Sequence, residues 1–212
     1  MPNHITNRLW IKGKGGKEIL ESLYTNRMTD SDGDENCFDF NKIIKRPIIF
    51  EGTTGGSVTW DIKRELNALA EKHKGEKLEF KLTELAMKYM GHKDEKELLL
   101  SIECFKYHGV ISWYDWAIKY WGTKWNAYQT IIESDCRVTF DTAWSTPEPV
   151  IYALSKKFPK NKFTLRYADE DIGSNCGRYS YKNGECLEDF TPSEATARSY
   201  ALNIKNRGYL NH

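Results

Sequence analysis

Acidic and aromatic side chains supply most of the candidate chemistry in this chain. Asp141, Trp144, Asp169, Glu170 and Asp171 fall in or just after two stretches that alternate like strands, 137–143 and 162–168. If those strands are neighbours, two or three carboxylates meet at one sheet end, where they can hold a magnesium ion or divide acid and base roles. As a solvated acidic rim they do neither. Asp141 is the most pointed of the set because it lies inside a strand. In Trp121-Gly122-Thr123-Lys124-Trp125, two indoles and an ammonium suit a flat anionic ligand such as a nucleotide. The competing reading ends a helix at Gly122 and sends both indoles into the core.

Other chemistry-bearing patterns fail on spacing. The segment Gly13-Lys14-Gly15-Gly16-Lys17 lacks the first glycine and the hydroxyl residue of a phosphate loop, since Ile11 and Glu18 stand there. Asp30, Asp32 and Asp34 alternate as in a calcium loop, but Gly33 comes two positions early and Asn41 replaces the bidentate glutamate. Cys104 and His108 are one helical turn apart with no second pair to complete a zinc site. Cys176 and Cys186 flank a hairpin and read as ordinary thiols. His4 with Tyr167, Tyr179 and Tyr181 would serve an RNA-cleaving site only by fold analogy. No metal and no cofactor are expected.

Composition narrows the classes. The 212 residues carry 31 basic and 30 acidic side chains, so no global field drives the chain to nucleic acid or membrane. Any such binding must come from a local patch. No apolar run approaches a bilayer span, the start does not read as a secretory signal, and five scattered cysteines suit reduced thiols in the cytoplasm.

The elements that must position these residues follow from periodicity and stop signals. Strands are expected at 7–12, 37–44, 126–133, 137–143 and 162–168, with a hairpin of 178–182 and 185–187 turning at Asn183-Gly184. Helices are expected at 17–24, after Thr146-Pro147, and at 192–206 behind the capping box Thr191-Pro192-Ser193-Glu194. Between them, a flexible linker at 51–57 leads into four helical stretches, the last opening on Ser112 and Asp115. Setting those helices aside leaves strand, helix, strand, strand, helix, strand. The expected fold is α+β: a ferredoxin-like βαββαβ antiparallel sheet with a central helical insertion and an appended C-terminal β-hairpin and helix. Residues 1–50 and 123–190 would form its halves, 58–122 the insertion and 191–212 the last helix. Four cysteines at iron–sulfur spacing are absent, so no cluster is implied.

Several segments also resemble a known family. The opening MPN with N-x-L-x-I-x-G, FDFNKII, WGTKWNA, F-D-T-A-W-S-T-P, and Tyr167-Ala168-Asp169-Glu170 followed by Gly177 are similar to the YubB-type ferredoxin-like proteins of plasmids and bacteriophages. The family often shows Trp-Cys where this chain has His4-Ile5. The resemblance carries no catalytic residues. It implies an accessory protein of a mobile element in a bacterial cytoplasm.

Three functions remain open. The first is a non-enzymatic binding protein acting on a host protein or nucleic acid to blunt a host defence, with no membrane partner. The second is an RNA-binding or RNA-processing protein, with Phe38, Phe40, Phe140 or Tyr167 exposed beside Arg137, Arg166 and Arg178. The third, a metal-dependent hydrolase, needs Asp141 and Glu170 to converge. The residues expected to touch a ligand are Trp121, Lys124, Trp125, Asp141, Trp144, Tyr167, Glu170 and Arg178. A further partner-binding face is the lysine-rich surface of the insertion, Lys72, Lys74, Lys77, Lys81, Lys88, Lys93 and Lys96, whose interleaved glutamates otherwise mark a solvated face.

Overall fold

The computed structural model describes residues 3–29, 33–54, 58–92 and 94–206. Asp30 and Asp32 of the acidic loop, residues 55–57 of the linker, and Lys93 lie outside them. The strands are β1 (His4–Lys12), β2 (Tyr24–Thr29), β3 (Gly33–Phe38), β4 (Tyr128–Ser134), β5 (Arg137–Ala143), β6 (Lys162–Asp169), β7 (Cys176–Lys182) and β8 (Glu185–Phe190). The helices are α1 (Gly16–Ser22), α2 (Val58–Lys72), α3 (Glu76–Tyr89), α4 (Glu95–His108), α5 (Trp113–Tyr120), α6 (Glu148–Lys157) and α7 (Glu194–Lys205). Among the described residues, no helix is long and apolar enough to cross a membrane.

The chain divides into two units, 1–45 with 120–212, and 46–119. The first holds a six-stranded antiparallel sheet in the order β4-β5-β1-β6-β7-β8. The path β1-α1-β4-β5-α6-β6 is the ferredoxin-like βαββαβ arrangement, and the β7–β8 hairpin extends the sheet beyond β6. Asn183 and Gly184 both have positive φ, which suits the right-handed twist of that hairpin.

Alternation sorts the side chains of β1. Ile5, Asn7, Leu9 and Ile11 turn to the core, while His4, Thr6, Arg8, Trp10 and Lys12 occupy the other face. Buried partners from the remaining elements are Val138, Phe140, Phe163 and Leu165 on the sheet, Ile19 and Leu20 on α1, and Val150, Ile151 and Leu154 on α6. Asn7 is buried among them with its amide engaged. Its Nδ2 donates to Ile5 O at 2.9 Å and Thr142 Oγ1 at 2.8 Å, and its Oδ1 accepts from Thr146 Oγ1 at 3.0 Å.

Some expected elements differ. Residues 37–44 do not supply the second ferredoxin-like strand, which is β4. Instead β3 pairs with β2 in a separate two-stranded ribbon, and a 3-10 turn follows at Phe40–Lys42. The reason is Asp39, whose side chain accepts from Asn41 N at 3.0 Å and bends the chain so that Phe38 and Phe40 both enter the core. There Phe38 stacks on Phe140 at 4.8 Å and Phe40 meets Trp121 edge-on at 5.7 Å. Helix α7 starts later than its capping box suggested, with Ser193 at the cap and its Oγ bonded to Thr196 Oγ1 at 3.0 Å. In the second unit, α2, α3 and α4 bury Ile62, Leu66, Leu82, Leu85, Leu98 and Ile102 together with Ile111. Ser112 caps α5, accepting from Asp115 N at 3.2 Å and donating to its carboxylate at 2.9 Å.

Replacing Phe140 by Ala should cost about 3–5 kcal/mol in urea unfolding, as for other buried aromatics. Asp39 adds a pH term. Burial pushes its pKa up, but hydrogen bonds from Asn126, Asn41 and Thr25 outweigh that and hold it below the usual value. A carboxylate depressed in the folded state stabilises above its ordinary pKa and loses that contribution as pH falls through the folded value. Thermal stability should therefore drop below the ordinary aspartate range, about pH 4. Asp39→Asn should be less stable at neutral pH and show a flatter acid limb; an unchanged limb would remove Asp39 from the account.

Candidate nucleic-acid interface

Register places cations in rows on the face of the sheet opposite α1 and α6. Thr139, Arg8, Arg166 and Arg178 align across β5, β1, β6 and β7. One step along lie Arg137, Trp10, Thr164 and Ser180, and a step further Lys12, Lys162 and Lys182. Strands sit about 4.8 Å apart, so each row is a closely spaced set of side chains. The carboxylates near them include Glu133, Glu185 and Glu188, and Asp141 lies on the same face two residues along β5 from Thr139. Most of the face is thus positive in a chain whose formal net charge is only +1.

The four guanidinium groups are each held in place. Arg137 lies over the Trp10 ring at 4.6 Å, Arg166 over Tyr200 at 5.0 Å and Arg178 over Phe190 at 5.2 Å. Arg8 pairs with Glu133 at 2.8 Å, and Arg178 pairs with Glu188 at 2.5 Å. Helix α7 packs on part of the same face, where Asn203 Oδ1 accepts from Arg166 at 3.1 Å and Ala197, Ala201 and Ile204 cover Ala168 and Cys176. The part left open is a depression of about 380 Å³ lined by Arg8, Trp10, Glu133, Arg137, Arg166 and Arg178, among others. Arg178 Nε is buried there with no hydrogen-bond partner among the described residues. Trp10 is 41% exposed.

Such a surface can neutralise phosphates and stack a base. Arginine forks match phosphate oxygens two at a time. Glu133 is partly buried, which raises its pKa, yet bonds from Arg8 and Thr139 and the charges of Arg8 and Arg137 bring it below the usual value. It stays an anion and splits the positive field into patches. A depression of about 320 Å³ in the helical unit is different in kind, since Lys63 and Asp115 on its wall pair with each other.

The residues singled out from sequence scatter. Trp121 is 1% exposed, with its indole N–H donating to Ile44 O at 2.9 Å, so it is core rather than platform. Tyr167 is also buried, stacked on Tyr179 at 5.2 Å, and burial together with that hydroxyl contact raises its pKa. Phe38, Phe40 and Phe140 are buried too, because Phe38 and Phe40 fold over Phe140 and pack against it, with Trp121 against Phe40. Trp10 and Phe190 are sheet aromatics left exposed, and the alternation of residues 7–12 already set Trp10 apart from Leu9 and Ile11. Arg178 belongs to the basic face, whereas Lys124, Trp125 and Trp144 gather at the end of β5.

The carboxylates part company. Asp141 lies on the basic face opposite Tyr128 and Thr6, but Asp169 pairs in register with Ile5 and so turns to the core side. Asp169 organises its own turn, accepting from Asp171 N at 3.0 Å and Asn3 at 3.3 Å. Glu170 is exposed, and its amide donates to His4 O. Among the described residues, no three His, Cys, Asp or Glu side chains gather as a metal site. Cys104 is buried, and His108 packs on Phe50 instead. His4 bonds Tyr128 and not the tyrosines of β6 and β7, which lie on the other face.

Comparison with known proteins covers part of this surface. Residues 121–210 match the family model described as the ferredoxin-like domain in Api92-like protein. A crystal structure of a protein api92 from Yersinia pseudotuberculosis is similar at 13% identity, covering 91% of this chain and 99% of that one with a TM-score of 0.41. No curated protein matches. The matched stretch carries Arg137, Arg166 and Arg178 but not Arg8 or Trp10. From residue 121 onward, then, this chain resembles the ferredoxin-like domain of Api92-like proteins.

Proposed function

We propose that the protein binds single-stranded nucleic acid on the helix-free part of its sheet. The observation that carries the reading is the alignment of Arg8, Arg166 and Arg178, of Lys12, Lys162 and Lys182, and of Arg137 with Trp10 between them. Positive rows either side of an exposed indole supply the two things a single strand needs, phosphate neutralisation and a stacking surface. Arginine stacked on an aromatic ring is itself a preorganised partner for a base or phosphate. An accessory binding role in a plasmid- or bacteriophage-encoded protein of the bacterial cytoplasm, as the YubB-type resemblance implies, fits this chemistry, and the ligand then belongs to the host or the element.

Fluorescence anisotropy of labelled oligouridylate and oligothymidylate, titrated over a range of salt, tests the reading. Binding should weaken linearly on a log–log salt plot. Arg137→Glu and Lys162→Glu should each weaken binding and lower the slope by about 1. Trp10→Ala should cost about 1–3 kcal/mol with the slope retained. Binding indifferent to these substitutions would refute the assignment to this face.

A further inference from the structure

Two tryptophans project from one end of the same sheet. Trp144 is 49% exposed and Trp125 39%, although this chain buries Trp116 and Trp121. Trp144 directly follows Ala143, the last residue of β5, and its amide donates to Asn3 O at 2.9 Å. Trp125 follows Thr123 and Lys124, whose hydroxyl and amide donate to Ala143 O at 2.8 and 3.5 Å. The backbone on which each indole stands is thereby anchored at Ala143, the last residue of β5.

The backbone at Trp144 has φ of +73°, a conformation that glycine adopts freely and a bulky residue does not. Polar side chains hold it there. Thr142 Oγ1 donates to Ser145 O at 2.8 Å, Ser145 Oγ donates to Gly122 O at 2.5 Å, and the buried Asn7 amide links Thr142 to Thr146. A strained position kept by such a frame, carrying an exposed indole, points to use of that indole. The surroundings suit a nucleotide. Lys124 Nζ lies 4.9 Å from the Trp125 ring centre, Tyr128 meets Trp125 edge-on at 6.2 Å, and His4 Nδ1 and the Tyr128 hydroxyl share a hydrogen bond of 2.8 Å.

We propose that Trp125 and Trp144 form a second base-stacking subsite, with Lys124 beside the phosphate, for the strand whose other phosphates lie on the arginine and lysine rows. This rests on the nucleic-acid reading above and extends it. His4 and Trp10 are six residues apart on β1, about 20 Å, so a single strand of several nucleotides spans both stacking positions. Stacking on an indole releases no counterions, which gives the subsite a signature distinct from that of the rows.

The test uses a labelled dodecauridylate and the full chain carrying Trp125→Ala, Trp144→Gly or both, beside Arg137→Glu with Lys162→Glu. Trp144→Gly relieves the backbone and should leave the melting temperature unchanged or raised, so lost binding is not lost folding. The doubly substituted Trp variant should bind at least about tenfold more weakly with its salt slope lowered by at most about 1, the share of Lys124, while the charge variant lowers the slope by about 2. Trp144→Phe should recover part of the loss. If the Trp variants bind like the parent while the charge variant weakens, the subsite is refuted and the sheet-face reading stands. If the parent binds no oligonucleotide at low salt, both fall.

Discussion

Strand β1 is the constraint on which the rest of the sheet unit depends. It pairs with β5 on one side and β6 on the other, so its alternation is imposed on both neighbours. A slip of one residue would drive Arg8 and Trp10 into the core and Leu9 and Ile11 into water. Each buried aliphatic side chain is worth about 1.5–3 kcal/mol, and a buried unpaired guanidinium costs far more. Asn7 reinforces the register, because its amide is satisfied only when Thr142 and Thr146 stand where they do. The same alternation that builds the core therefore assembles the basic face.

That origin explains how a nearly neutral chain acquires a concentrated cationic surface. Cations four residues apart on one strand, Arg8 and Lys12, share a face, and antiparallel pairing lines them up with Arg166 and Lys162 and then with Arg178 and Lys182. Like charges directly opposite one another destabilise a sheet. The structure offsets this with Glu133 and Glu188, and by laying Arg137 and Arg166 on the rings of Trp10 and Tyr200.

The ferredoxin-like order, the inserted helices and the appended hairpin were legible in the sequence, since each rests on local period, turn residues and caps. The displaced second strand was not. Phe38 and Phe40 alternate as strand residues do and mask the local Asp39–Asn41 turn, which bonds from Thr25 and Asn126, distant in sequence, hold in place. The site was half legible for a similar reason. Period 2 separates Trp10 from Leu9, but which strands lie beside β1 depends on long-range pairing that no local pattern encodes. Tyr167 looked like a ligand contact because residue type alone does not say which side of a sheet is roofed, and Trp121 because a local motif does not say which way an indole at a helix end turns.

The hydrogen bond from the Trp121 indole to the Ile44 carbonyl has a separate consequence. These two residues stand at the points where the chain leaves the sheet unit and returns to it. With the two points clamped inside the sheet unit, the intervening segment is a closed excursion whose ends are already together. The entropy of closing such a loop grows only with the logarithm of its length. The excursion is therefore free to lengthen, shorten or be exchanged for another sequence over generations while the sheet keeps its register, so the two parts of this protein can diverge at different speeds.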